Sequence, residues 1–343
     1  MTGSSQWFPD AQSGGRSGRP RWLLSAAAGV ALAVVMTSGA AAVPASESDV
    51  GAAITTRVFD RATGEPVKGV CVLALPVLTF RLPDACATRS GGGGRVTVEV
   101  PGPGQYNLFA LPKLDSPYGA QWVGPDGGTG VQRDARQLTL EAGETKSAPH
   151  VLLDLRATLR GRLVLRSGVP VDAAAVAIAA PAPGARTAER QAPVGDDGSF
   201  TIDWVGPYGW PLLFWGDNFA FQWSGDSATR VRADPVPAMV GDPAPVIHFL
   251  RHGARFQVRI HSGSVAADRQ LIIYNAGTGE HVGTVTISGQ DIVGRLRVSG
   301  GQQVKMQCHC ARGELWYGGT DFANAIPIKV GHTELLLLDL CDP

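Results

Sequence analysis

Charge is scarce in this chain and takes no overall sign. Asp, Glu, Lys and Arg make up 17% of its 343 residues, 30 basic against 30 acidic. A surface that tracks a phosphate backbone needs concentrated positive charge, so nucleic acid is excluded as a partner. Catalytic signatures are missing as well. No G-x-S-x-G, H-E-x-x-H or G-x-x-x-x-G-K-[ST] occurs, which removes the nucleophile elbow, the zincin site and the phosphate loop. The glycine run at 91–94 sits between strand-like segments and opens no helix, so it reads as a hairpin loop. Asp196, Asp197, Asp203 and Asp321 fall in turns, which explains them without chemistry. No run carries the dense oxygen ligands of a calcium loop. The expectation is therefore no catalytic residue, no cofactor, no metal and no enzyme. Helical periodicity is also absent beyond the N-terminal segment, while 44 Gly and 24 Pro favour many turns. The glycines keep no three-residue period, which excludes collagen.

One hydrophobic run stands apart. Arg16, Arg19 and Arg21 precede LLSAAAGVALAVVM, and small residues fill 37–45. Positive flank, apolar core and A-x-A-like site describe a secretory signal helix, with cleavage after Ala42 or Ala45. Uncleaved, residues 23–43 would just span a bilayer, and this is the route to a membrane that the sequence offers. A twin-arginine pair and a lipid-accepting cysteine are both lacking. The expected location is secreted, extracellular or at the cell surface.

The five cysteines, Cys71, Cys86, Cys308, Cys310 and Cys341, all lie in the exported part, where disulfides persist. Cys71 and Cys86, 15 residues apart, are expected to pair; closing such a loop is worth about 3 kcal/mol on the chain-entropy model. A disulfide to Cys341 from Cys308 or Cys310 is preferred over a metal site, because C-x-C is too tight for the usual zinc spacing.

A pattern of about 100 residues recurs three times after the signal. Copy one runs from ITTRVFDRATGEPVKGVCVLAL (54–75) to RQLTLEAGETKSAPHVLLDL. Copy two opens at ATLRGRLVLRSGVPVDAAAVAIAA and copy three at ARFQVRIHSGSVAADRQLIIYNAGTGEHVG. Each closes with an aromatic pair, a Gly turn and a final apolar strand: Gln121-Trp122, Gln222-Trp223 and Trp316-Tyr317 mark the equivalent points. Self-similarity at this length means one fold used three times. The fold class expected is all-β, with tandem Ig- or prealbumin-like β-sandwich modules behind the signal-peptide helix. The divisions are 1–45, 50–155, 156–252 and 253–343.

TGEPVKGVCV followed by GQYNLFALP resembles the carboxypeptidase regulatory-like, or Cna-B-type (transthyretin-like), seven-stranded sandwich family. SGVPVDAAAVAI and DDGSFTIDWV repeat that pattern in copy two, and the aromatic tail is similar to secreted actinobacterial members. The resemblance implies a fold rather than an activity. Some relatives form an internal Lys-to-Asn isopeptide; Arg57 stands where their first-strand lysine would, so that chemistry is not carried over.

Tryptophan supplies the ligand-contact candidates: Trp122, Trp210, Trp215, Trp223 and Trp316. Flat indoles on a sheet can stack on sugars, whereas the same indoles turned inward merely pack. Repetition in every copy favours packing, since a structural need is shared by all copies. Two functions follow. The preferred one is a non-catalytic secreted or surface protein, structural or adhesive, with a surface protein or cell-wall polysaccharide as partner. The alternative is carbohydrate binding through the exposed tryptophans of modules 2 and 1. Solvent exposure discriminates between them.

Overall fold

In the computed structural model the described residues belong to one compact unit within Glu47–Pro343. They are residues 51–77, 82, 86–171, 174–179, 190–216, 219–260, 269–287, 292–298, 302–310, 313–330 and 333–338. The expected signal segment lies outside the described residues. Among those described, no helix is long and apolar enough to cross a membrane. The described residues form an all-β structure, broken by short 3-10 turns at Gln132–Asp134 and Arg230–Arg232.

The first strands are β1 (Ala52–Asp60), β2 (Cys71–Pro76), β3 (Arg95–Val100), β4 (Gly104–Leu111) and β5 (Gln121–Val123). They continue as β6 (Gly128–Thr129), β7 (Gln137–Leu140), β8 (Thr145–Ser147) and β9 (Val151–Leu153). The period-two alternation of AAITTRVFD and RVTVEV puts Ile54, Val58, Val96 and Val98 on one face and Thr55, Arg57, Arg95 and Thr97 on the other. β1 pairs antiparallel with β3, from Ala52↔Val100 to Arg57↔Arg95. Its other edge runs parallel to β8 and then to β9. A second sheet, β2–β4–β5, supplies Val72, Leu108 and Ala110 to the same core. The expected disulfide is present: Cys71 on β2 bonds Cys86, with Cα atoms 5.9 Å apart.

A second group holds β10 (Ala157–Leu165), β11 (Ala174–Ala177), β12 (Ala192–Pro193), β13 (Ser199–Val205) and β14 (Gly209–Trp210). With it go β15 (Leu213–Gly216), β16 (Phe219–Trp223), β17 (Val236–Pro237) and β18 (Val246–Leu250). The third comprises β19 (Ala254–Ile260), β20 (Arg269–Asn275), β21 (His281–Ile287) and β22 (Ile292–Val298). It ends with β23 (Gln303–Cys310), β24 (Gly313–Trp316), β25 (Ile328–Lys329) and β26 (Thr333–Leu338).

All three groups share a plan. The opening strand lies between an antiparallel partner and a parallel closing strand: β3 and β9 flank β1, β13 and β18 flank β10, β22 and β26 flank β19. Local detail repeats too. Gly94 (φ 71°) and Gly198 (φ 81°) are left-handed, and a Cβ on either would overlap the carbonyl oxygen of Val58 or Leu163, its counterpart in the opening strand. The amides of those two residues donate to Gly94 O at 2.9 Å and Gly198 O at 2.8 Å. Pro66 and Pro170 crowd the same spot in each group. This arrangement agrees with the prealbumin-like sandwich that the sequence resembles.

Candidate functional site

The chemistry-bearing side chains gather where the strand groups meet. Between the first and second groups the approach is backbone to backbone. A Cβ on Gly119 would overlap Val205 and Gly206, and one on Gly130 would overlap Gly209 O. Ala120 N donates to Trp204 O at 2.9 Å, and Gly206 N donates to Ala120 O at 2.8 Å. This tight seam brings Phe109 and Trp122 into one apolar cluster with Trp204, Val205 and Trp210. The rings of Phe109 and Trp122 lie 4.9 Å apart and those of Phe109 and Trp210 6.4 Å. Trp210 Nε1 donates to Gly206 O at 2.9 Å, so its polar end is satisfied inside.

Exposure therefore decides the tryptophan question. Trp122 and Trp210 are fully buried and Trp223 is 3% exposed, so none offers a face to a sugar. Trp215 and Trp316 are half-buried and already engaged. Trp215 stacks on Phe221 at 5.8 Å, and Trp316 contacts Tyr274 at 5.3 Å and Phe322 at 5.6 Å. The ligand-contact assignment of Trp122, Trp210 and Trp223 is corrected by this burial: their hydrophobic area joins neighbouring strand groups or fills a core.

Beside the seam sits a polar cluster. Tyr208 donates to Asp154 through a short hydrogen bond, and its oxygen lies 3.2 Å from Gln121 Oε1. Arg61 Nη1 donates to Asp154 at 3.2 Å. Burial first, then the bond to Asp154 and its charge, hold the Tyr208 phenol far above its usual range, with Arg61 opposing. The phenol stays protonated and donates to the Asp154 carboxylate.

Gln121 and Gln222, both buried, explain the repeated Gln-Trp dipeptide. Gln121 Nε2 donates to Leu152 O at 2.7 Å while Asp154 N donates to Gln121 Oε1 at 3.2 Å. Gln222 does the same to Phe249 O at 3.1 Å and from Arg251 N at 3.2 Å. Each amide thus substitutes for a strand at the end of a closing strand. The recurrence of Gln before Trp was the sequence signal for this clamp.

A third cluster crosses all the groups. Arg230, 6% exposed, donates from Nε to Glu280 Oε1 at 3.0 Å and from its backbone N to Oε2 at 3.2 Å. Its Nη2 donates to Gln132 Oε1 at 2.6 Å, and Gln132 Nε2 donates to Pro76 O at 3.2 Å. Gln132 follows β6, Arg230 follows β16 and Glu280 precedes β21, so one guanidinium joins three parts of the chain. Burial pulls the Arg230 pKa down and the Glu280 carboxylate pushes it back up. Arg133 adds a bond to Val231 O at 2.9 Å. No motif announced these residues, because each reads alone as a surface side chain.

Cys308 is disulfide-bonded; the side chain of Cys310, and Cys341 altogether, lie outside what is described. Among the described residues no cluster of three or more His, Cys, Asp or Glu is placed to hold a metal. Asp197 and Asp321 act as turn residues. Hydrogen bonds from Ser199, side chain then backbone, lower the Asp197 pKa, and those from Asn324, backbone then side chain, lower that of Asp321.

No protein-family model matches the chain, and no curated protein matches it. Among solved structures it is similar to the TIE protein of Bacillus anthracis, at 10% identity and a TM-score of 0.22. That match covers 84% of this chain and 50% of the other, so the chain spans half of that relative's length. The major pilin subunit BcpA of Bacillus cereus matches at 8% identity and TM-score 0.20, over 84% and 98% of the two chains. The full-length major pilin SpaD of Corynebacterium diphtheriae matches at 9% and 0.19, over 85% and 96%. Likeness of this size carries no functional argument.

Proposed function

We propose that the chain is a non-catalytic structural or adhesive protein of the cell exterior. Its three β-sandwich modules, 50–155, 156–252 and 253–343, act as one stiff body. The observation that carries this reading is the Gln132–Arg230–Glu280 cluster. Buried ion pairs add little net stability over apolar packing, but one that spans three modules fixes their mutual geometry. The Phe109–Trp122–Trp210 core supports the same reading, since apolar area this extensive between modules resists hinge motion. Export is supported by the basic flank, apolar run and small-residue site of residues 16–45.

Two measurements test it. Protein recovered from medium or envelope should begin at Val43 or Ser46, and unfolding should follow a single cooperative transition. Full-length protein confined to the cytoplasm would sink the export reading; separate transitions for the modules would sink the stiff body.

A further inference from the structure

The outward face of the first sheet carries an arrangement that folding alone does not call for. Register places Arg57 on β1 directly opposite Arg95 on β3. Like charges facing each other across strands are destabilising. Among the described residues neither guanidinium has an acidic partner.

The closing strand opens a groove beside this pair. It follows β1 as β8 as far as Ser147 and resumes as β9 at Val151. Ala148 N still donates to Thr55 O at 2.8 Å, and beyond it Pro149 and His150 leave the ladder, held by Thr56 Oγ1 donating to Pro149 O at 2.6 Å. The groove has a volume of about 410 Å³, and no carboxylate lines it. Arg57, Arg95, Thr97, Ser147 and the exposed His150, all able to donate hydrogen bonds, line it, and the His150 ring lies 4.9 Å from that of Phe59.

The second module shows what the fold itself requires at this place. The glycine and proline equivalence aligns Val58 with Leu163, and so Arg57 with Arg162. Arg162 faces Ser199 rather than a second arginine, and its Nε donates to Asp197 O at 2.6 Å. A lone, satisfied arginine suffices there; the first module keeps two unsatisfied ones.

We propose that the Arg57–Arg95 groove is a binding site for an oxyanion, a phosphoryl or carboxylate group borne by a ligand outside the protein. Planar guanidinium forks match both groups, forming paired charge-assisted hydrogen bonds, and hydroxyl and imidazole donors complete the shell. An anion between the two arginines also cancels their mutual repulsion, a local conflict of the kind found at functional positions.

The test is calorimetric titration of the whole protein at low ionic strength with inorganic phosphate and, in parallel, acetate. The wild type should bind at least one of them saturably, and the preferred anion distinguishes a phosphoryl from a carboxylate ligand. Arg57→Gln or Arg95→Gln should each weaken binding about tenfold, as expected for losing one charge-assisted contact. The double variant should abolish binding, and Arg162→Gln should leave it unchanged. None of the three arginines is buried, and unfolding curves of the four variants verify that each is folded. Failure of both anions to bind, or equal binding by wild type and double variant, would overturn the proposal. Neither outcome touches the stiff-body reading, which rests on other residues.

Discussion

Arg230 is ion-paired with Glu280, and both groups are almost wholly removed from water. Removing one partner of such a pair strands the other. Arg230→Met should cost about 3–5 kcal/mol in urea denaturation, and adding Glu280→Leu should restore most of the loss, because the buried charge then disappears. His248 is a different case. Its ring lies 4.9 Å from Phe214 and 6.1 Å from Phe200, its buried Nε2 has no hydrogen-bond partner, and burial brings its pKa down to about 4. An unfolded histidine titrates near 6.5. Below that pH the unfolded chain takes up a proton that the folded chain refuses, so this contribution is complete above about pH 6.5 and is lost progressively down to pH 4. The full loss is on the order of 3 kcal/mol. His248→Leu should flatten the stability profile over that window relative to wild type, as read from denaturation at stepped pH.

At the scale of strands and turns, the seam between the first two groups depends on missing side chains. Gly119→Ala would push a methyl group into the backbone of Val205 and Gly206. Overpacking of this kind should cost about 3 kcal/mol and accelerate hydrogen exchange at Ala120 and Gly206, whose amides close the seam. Much at this scale could be read beforehand. The Asp197-Gly198 turn, the alternation of β1 and β3 and the Cys71–Cys86 pairing, 15 residues apart, all follow from chemistry close together along the chain. Exposure of the tryptophans could not be read, because Trp122 is covered by residues more than 80 positions away. Nor could the ion pair: Arg230 and Glu280 lie 50 residues apart, and Gln132 lies 98 from Arg230. The facing of Arg57 and Arg95 depends on strand register, which only the closed sheet sets.

Across the whole molecule, the shared core leaves the first strand group incomplete alone. A chain ending at Leu155 would leave Trp122 and Phe109 without Trp204, Val205 and Trp210 above them. Such a fragment should show red-shifted tryptophan emission and self-association, whereas the intact protein should show neither. Blue-shifted emission from a monomeric fragment would mean that the core closes without its neighbour. The parallel pairing of opening and closing strands has a mechanical consequence. When tension is applied through the two ends of a group, β1 and β9, β10 and β18, or β19 and β26 are drawn past each other lengthwise. Their rungs are then loaded side by side in shear and must rupture together, where a hairpin would unzip one rung at a time.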